Sequence, residues 1–71
     1  MALTFAPYER ELKIVWINAD EKTGRHLSNL GFTVEGVLTL LSSSGGDCIV
    51  KMKESRVAIN RALAMKNIVD E

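Results

Sequence analysis

Apolar and polar positions alternate along most of this chain, and where the alternation breaks it gives way to a helical period. Glu11 to Asn18, ELKIVWIN, is β-branched and aromatic without glycine or proline, which is the composition of a strand. Leu12, Ile14 and Trp16 fall on one face and Val15 and Ile17 on the other. Such a strand belongs in a closed barrel or under another element. From Ala19 to Phe32 the period changes. Leu27 and Leu30 lie three apart, with Arg25, His26, Ser28 and Asn29 polar around them. Asp20 or Thr23 is placed to cap the start of this helix, and Gly31 sits where a helix ends in the left-handed conformation. Two or three turns cannot hold themselves in water, so Leu27, Leu30 and Phe32 are expected to dock on the strands.

Strand character resumes in VEGVLTLL, Val34 to Leu41, after a turn at Glu35-Gly36, and SSSGGD then reads as a hairpin loop. CIVKMK alternates cleanly, with Cys48, Val50 and Met52 on one face and Ile49, Lys51 and Lys53 on the other. Glu54-Ser55 is short enough for a tight turn into RVAIN. Asn60 is a good N-cap for the single helical turn RALAM, after which NIV returns as a closing strand. The expected architecture is mainly β: a small SH3-like barrel of about five strands, with one short helix after the first strand and a helical turn before the last.

Residues 1–71 make one domain, small enough that only about 60% of the unfolded surface is buried on folding. One cysteine, Cys48, cannot staple it. Apolar runs are a few residues long, far short of the roughly 18 a membrane span needs, and the start lacks the pattern of a signal peptide. A cytoplasmic location is therefore expected, with no insertion into the membrane. Net charge is zero but uneven. Lys51, Lys53, Arg56, Arg61 and Lys66 face a single acid, Glu54, while Asp70-Glu71 ends the chain. A basic C-terminal half of this kind suits a charged partner.

Chemistry-bearing residues are sparse. His26 and Cys48 are the only soft metal ligands apart from methionine thioethers, and no C-x-x-C or H-x-x-E spacing joins them, so no metal site and no cofactor is expected. SSSGGD lacks the G-K-[ST] ending of a phosphate loop and runs into a strand rather than a helix N-terminus. A single histidine offers no Ser/His/Asp set, so an enzyme is not expected. The basic stretch from Lys51 to Lys66 would suit a nucleic acid, yet Phe5, Tyr8, Trp16 and Phe32 all precede position 33 and cannot interleave with it in sequence. A solvated strand face fits better.

Two longer stretches resemble a known family. GRHLSNLGF followed by TVEGVLTLL, and then GGDCIVKMKESRVAINRALAMKNIV, are similar to the FeoA family of bacterial ferrous-iron transport accessory proteins. Arg25, Leu27, Leu30, Gly31, Phe32, Gly36, Gly46, Asp47, Arg56, Ala58 and Ile59 fall in the family's pattern, and the resemblance spans essentially the whole chain. Glu9 stands where the family usually has glycine, Glu35 where it often has proline before Gly36, and Cys48 where proline often follows G-D. The resemblance implies a cytoplasmic SH3-like protein, recruited to the inner face of the membrane by FeoB, the GTPase that imports ferrous iron. The same fold forms a C-terminal domain of iron-dependent repressors, which makes a regulatory module for such a repressor the first alternative and a small nucleic-acid-binding barrel the second.

Protein docking is thus the expected activity. The outer helix residues Arg25, His26 and Asn29, with Leu27, Leu30 and Phe32 and the cleft the helix forms against the barrel, make the candidate surface. Trp16 is another candidate, because an uncovered apolar patch marks an interface, self-association into a homo-oligomer included. Lys51, Lys53 and Arg56 are suited to steer an acidic partner.

Overall fold

A computed structural model of the protein describes residues 1–53 and 55–71. Seven elements follow a 3-10 turn at Leu3–Phe5: β1 (Glu11–Ile17), α1 (Glu21–Leu30), β2 (Val37–Ser44), β3 (Asp47–Met52), β4 (Ser55–Ile59), α2 (Arg61–Lys66) and β5 (Asn67–Asp70). The strands form one antiparallel sheet in the order β4-β3-β2-β1-β5. The sheet rolls around a core of Leu12, Ile14, Leu38, Leu40, Cys48, Val50, Ile59 and Val69. Leu27 and Phe32 plug one side, and Leu3, Ala6 and Ala64 another.

Single-residue insertions shape two strands. In β1 the partners run Ile14↔Val69 and then Trp16↔Ile68, so Val15 is a bulge. One extra residue shifts every later side chain to the opposite face. Trp16, expected beside Leu12 and Ile14, therefore turns outward with Val15, and Ile17 turns in; Trp16 is 57% exposed. In β2 the bulge is Leu41, between Leu40↔Val50 and Ser42↔Ile49. Beyond it Ser42 to Ser44 remain in the strand, where a loop was expected. The connection is only Gly45-Gly46, with φ of 61° and 94°, the double positive φ of a tight hairpin turn. The strand begins at Val37, directly after the expected turn at Glu35-Gly36, which starts at Thr33 and is closed by the Gly36 N–H donating to the Thr33 carbonyl. A β-carbon on Gly36 would lie 2.8 Å from that carbonyl oxygen, so glycine is required. Ser55 of the expected Glu54-Ser55 turn lies in β4; Glu54 is outside the described residues.

The helices start and stop where the sequence indicated. Asp20 caps α1, accepting the Thr23 N–H at 2.7 Å, and Gly31 at φ 104° ends it. Asn60 caps α2 through the Leu63 N–H. A second cap on α2 comes from outside the helix: the Asp47 carboxylate accepts the Arg61 N–H at 2.8 Å. Gly46 lies against the same arginine, so close that a β-carbon there would come within 2.6 Å of its Cγ and Cδ. The hairpin tip and the helix start are thus one joint. At the far end Asn67 is wholly buried, and its Nδ2 donates to the Leu63 carbonyl.

Asp47→Ala removes a helix cap and is expected to destabilise the fold by about 1 kcal/mol. Thermal unfolding checks this, with a fall of roughly 4–8 °C for a domain of this size. Acid acts on the other helix. The Thr23 backbone N–H and side chain, aided by the positive charge of Lys66, hold the Asp20 carboxyl below its ordinary value. A lowered carboxylate contributes stability above its unfolded pKa and loses it as pH falls through the folded value. Protection of the Thr23 amide, taken as its exchange relative to the intrinsic rate at the same pH, is therefore expected to fall below about pH 4. In Asp20→Asn, which keeps the cap without the titration, that acid step should vanish.

Candidate functional site

The C-terminal end of α1, the turn into β2 and the β3–β4 hairpin enclose an open cleft of about 350 Å³. Its apolar floor is Ile14, Leu30, Met52 and Val57, and Thr33, Val37, Lys53 and Ser55 form the rim. Two glycines shape it. Gly31 donates its N–H to the Leu27 and Ser28 carbonyls, and the Phe32 N–H also reaches Leu27, a closed helix terminus with a left-handed glycine. The space where its β-carbon would stand is 3.3 Å from the Met52 methyl, so helix end and β3 touch closely here. Gly36, on the other wall, brings the backbone back to β1. The Ile14 N–H donates to the Gly36 carbonyl and the Glu35 N–H to the Ile14 carbonyl, both at 2.8 Å.

Of the residues singled out from the sequence, Leu30 and Lys53 line the cleft. Leu27 and Phe32 have no exposed surface; they anchor the helix in the core and present nothing to a partner. Arg25, His26 and Asn29 are exposed on α1, and Arg25 is engaged with Glu21 at 2.9 Å. Lys51 and Arg56 stand opposite each other on the outer face of β3 and β4, and none of the ion pairs among the described residues uses them. Trp16 lies away from the cleft, paired with Ile68 where β1 meets β5. Sequence reasoning missed Thr33, Val37, Met52, Ser55 and Val57. Met52 was placed on the same face of its strand as Cys48 and Val50, but nothing local indicated that this end of the face lines an open cleft.

A second depression, lined by Ser42, Ser44, Asp47 and Asn60 among others, lies over the joint between the hairpin and α2. Its polar groups Asp47 and Asn60 are already engaged as helix caps. His26 is exposed on α1 while Cys48 is buried in β3, and among the described residues no three His, Cys, Asp or Glu side chains gather as metal ligands would. No helix among the described residues is long and apolar enough to cross a membrane. What the arrangement offers chemically is an apolar recess with one cation, Lys53, on its rim.

Comparison with solved structures finds close matches to this fold. An iron uptake regulatory protein, FeoA, superposes with a TM-score of 0.88 at 23% identity, covering 99% of this chain and 93% of that one. Stenotrophomonas maltophilia FeoA, solved as a complex with zinc and described as a prokaryotic SH3 domain protein, gives 0.81 at 21% identity, covering 99% and 89%. Iron(II) transport protein A from Clostridium thermocellum gives 0.89 at 14% identity, and there this chain covers 99% of itself but 44% of the relative. No curated protein sequence matches significantly. These likenesses establish the SH3-like fold; the family is established by sequence, because the model of the FeoA domain matches residues 1–70. The chain belongs to the FeoA family, the accessory domains associated with ferrous-iron transport.

Proposed function

We propose that this protein is a cytoplasmic regulator of ferrous-iron uptake that docks, through the cleft beside α1, on a FeoB-like membrane GTPase transporter. The observation that carries the reading is the cleft itself: an apolar floor left open between helix and barrel in a chain of this family. Burying Leu30, Met52 and Val57 under a partner would supply affinity, at about 25 cal/mol per Å² of apolar surface removed from water. Lys51, Lys53 and Arg56 would raise the rate of encounter with an acidic surface. The exposed Arg25, His26 and Asn29 would form the polar rim of such an interface. A protein without catalytic groups acts on transport only by binding one conformational state of the transporter better than another. One relative is solved with zinc. Here His26 and Cys48 are not brought together, which supports a part in the pathway without a tight metal site.

A second surface supports self-association. Trp16 and Val15 are 57% and 46% exposed, side by side on the outer face of β1. If they meet in a homodimer, Trp16→Ser is expected to shift the sedimenting species to monomer at micromolar concentration and to remove the concentration dependence of the unfolding temperature.

The docking reading is tested by co-purification of the tagged chain from solubilised membranes of its host, with Leu30→Gln, Val37→Asp and Arg25→Glu alongside. Wild type should retain a polytopic GTPase. The two cleft variants should lose it while keeping their unfolding temperature within a few degrees, and Arg25→Glu should weaken retention. Recovery of only a soluble repressor or of RNA would overturn the transport reading in favour of one of the other two.

A further inference from the structure

The two edges of the sheet are not equivalent. Outside its pairing with β1, β5 is covered by the start of the chain: Ala2 bridges to Ile68, and the Val69 N–H donates to the Met1 carbonyl at 2.8 Å. At the other edge, β4 pairs with β3 alone, and no other described strand lies against it. Its outward N–H and C=O groups bond to nothing else among the described residues. This open edge also borders the cleft, which Ser55 and Val57 of β4 help to line.

Side chains of β4 alternate in a way that specifies what would pair with it. Val57 faces the cleft and packs against the core, whereas Arg56 and Ala58 point to the outer face. Arg56 stands there opposite Lys51, with no acid of the described residues bonded to either. A strand added beside β4 continues the same two faces. Residues sharing the inner face with Val57 would drop into the apolar recess of Ile14, Leu30 and Met52. Residues sharing the outer face would stand next to Arg56 and within reach of Lys51, where a carboxylate is favoured and a cation opposed.

We propose that β4 is a docking edge for an extended peptide segment in which apolar residues alternate with Asp or Glu. The apolar set fills the cleft and the acidic set pairs with Arg56 and Lys51. This inference rests on the cleft being the docking surface and adds the conformation and chemistry of what enters it. Main-chain hydrogen bonds supply affinity in this mode and the alternating side chains supply selectivity. A second copy of β4 fits poorly, because it would bring Arg56 and Lys51 of both copies together.

Selection of a random nonapeptide display library against the intact protein tests this. Peptides of alternating apolar and acidic residues should be enriched, and the best of them should perturb the amide resonances of β4 and slow their hydrogen exchange. N-methylation of that peptide at alternate positions should abolish binding in one phase and spare it in the other, since only one set of its N–H groups faces β4. Arg56→Glu, at an exposed position, should weaken the acidic peptide on the order of tenfold and shift a repeated selection toward lysine or arginine. The proposal is overturned if selection yields no alternating acidic peptides, if both N-methylated phases bind equally, or if the resonance changes avoid β4. The outcome separates from the transport reading. A transporter retained through the cleft with no peptide added at β4 sinks only this inference. Peptides that add to β4 when no transporter is retained sink only the transport reading.

Discussion

The hydrogen bond from the Arg61 N–H to the Asp47 carboxylate, with Gly46 pressed against the arginine side chain, joins the β2–β3 hairpin to the start of α2. Helix α2 is six residues long and could not persist alone in water. It must nevertheless carry the chain from β4, at one edge of the sheet, to β5 at the other. Capped from Asn60 within and Asp47 without, it leaves the β2–β3 hairpin in one direction only. The Lys66 carbonyl then accepts the Asn18 N–H, which ties the exit of α2 to the segment that begins α1. From β5 the order propagates to the first residues of the chain, whose 3-10 turn brings Leu3 into the core. The joint thus sits at one end of a run of contacts that links the hairpin, α2, β5 and the start of the chain.

Much of the framework was legible because its signals are local. Asp20, Gly31 and Asn60 are caps recognisable by type and position, and the alternation of CIVKMK reports its inward face directly. What escaped depends on partners distant in sequence. A bulge at Val15 or Leu41 is defined by the strand opposite, so Trp16 was assigned to the wrong face although its strand was identified. Three consecutive serines look like loop, yet the double positive φ of Gly45 and Gly46 allows a two-residue turn and extends pairing back through them. Asp47 looked like a turn residue and is also a helix cap, fourteen positions from the amide it satisfies. The site was half legible for the same reason. Leu30 and Lys53 were named, but the cleft they share with Met52 and Val57 is a property of the folded chain alone.

Two of the strained backbone positions flank that recess. Among the described residues three non-glycines have positive φ: Glu9 at 57°, Glu35 at 76° and Lys53 at 54°. Each such conformation costs an L-residue about 1 kcal/mol. Glu9 holds its left-handed backbone without the glycine that such a conformation favours. Glu35 and Lys53 flank the cleft on opposite sides, one preceding Gly36 and the other at the end of β3. Their turns are held by surrounding bonds, the Glu35 N–H to Ile14 and the strand pairing up to Met52↔Ser55. The walls of the recess are therefore set by the barrel and not by the preference of the residues that form them. Such preformed walls reduce the ordering that a partner would have to offset on binding.

Size limits how such a protein can act. Its whole accessible surface is 4561 Å², and a stable interface takes roughly 800 Å² from each partner, about a sixth of that surface. The cleft alone is too small to provide it. A stable complex must therefore extend from the recess over the neighbouring end of α1, where Arg25, His26 and Asn29 are exposed, or along β4 toward Arg56 and Lys51. An extended segment along β4 gains backbone hydrogen bonds over a narrow footprint, whereas a folded partner over α1 gains area. The two need not compete, because α1 and β4 lie on opposite sides of the same recess. A partner presenting a strand beside a folded surface would engage both, and a change in that partner which withdrew the strand would lose the main-chain bonds and the acidic pairs in one step. Such a difference in affinity alone is enough for one domain to report the state of another protein.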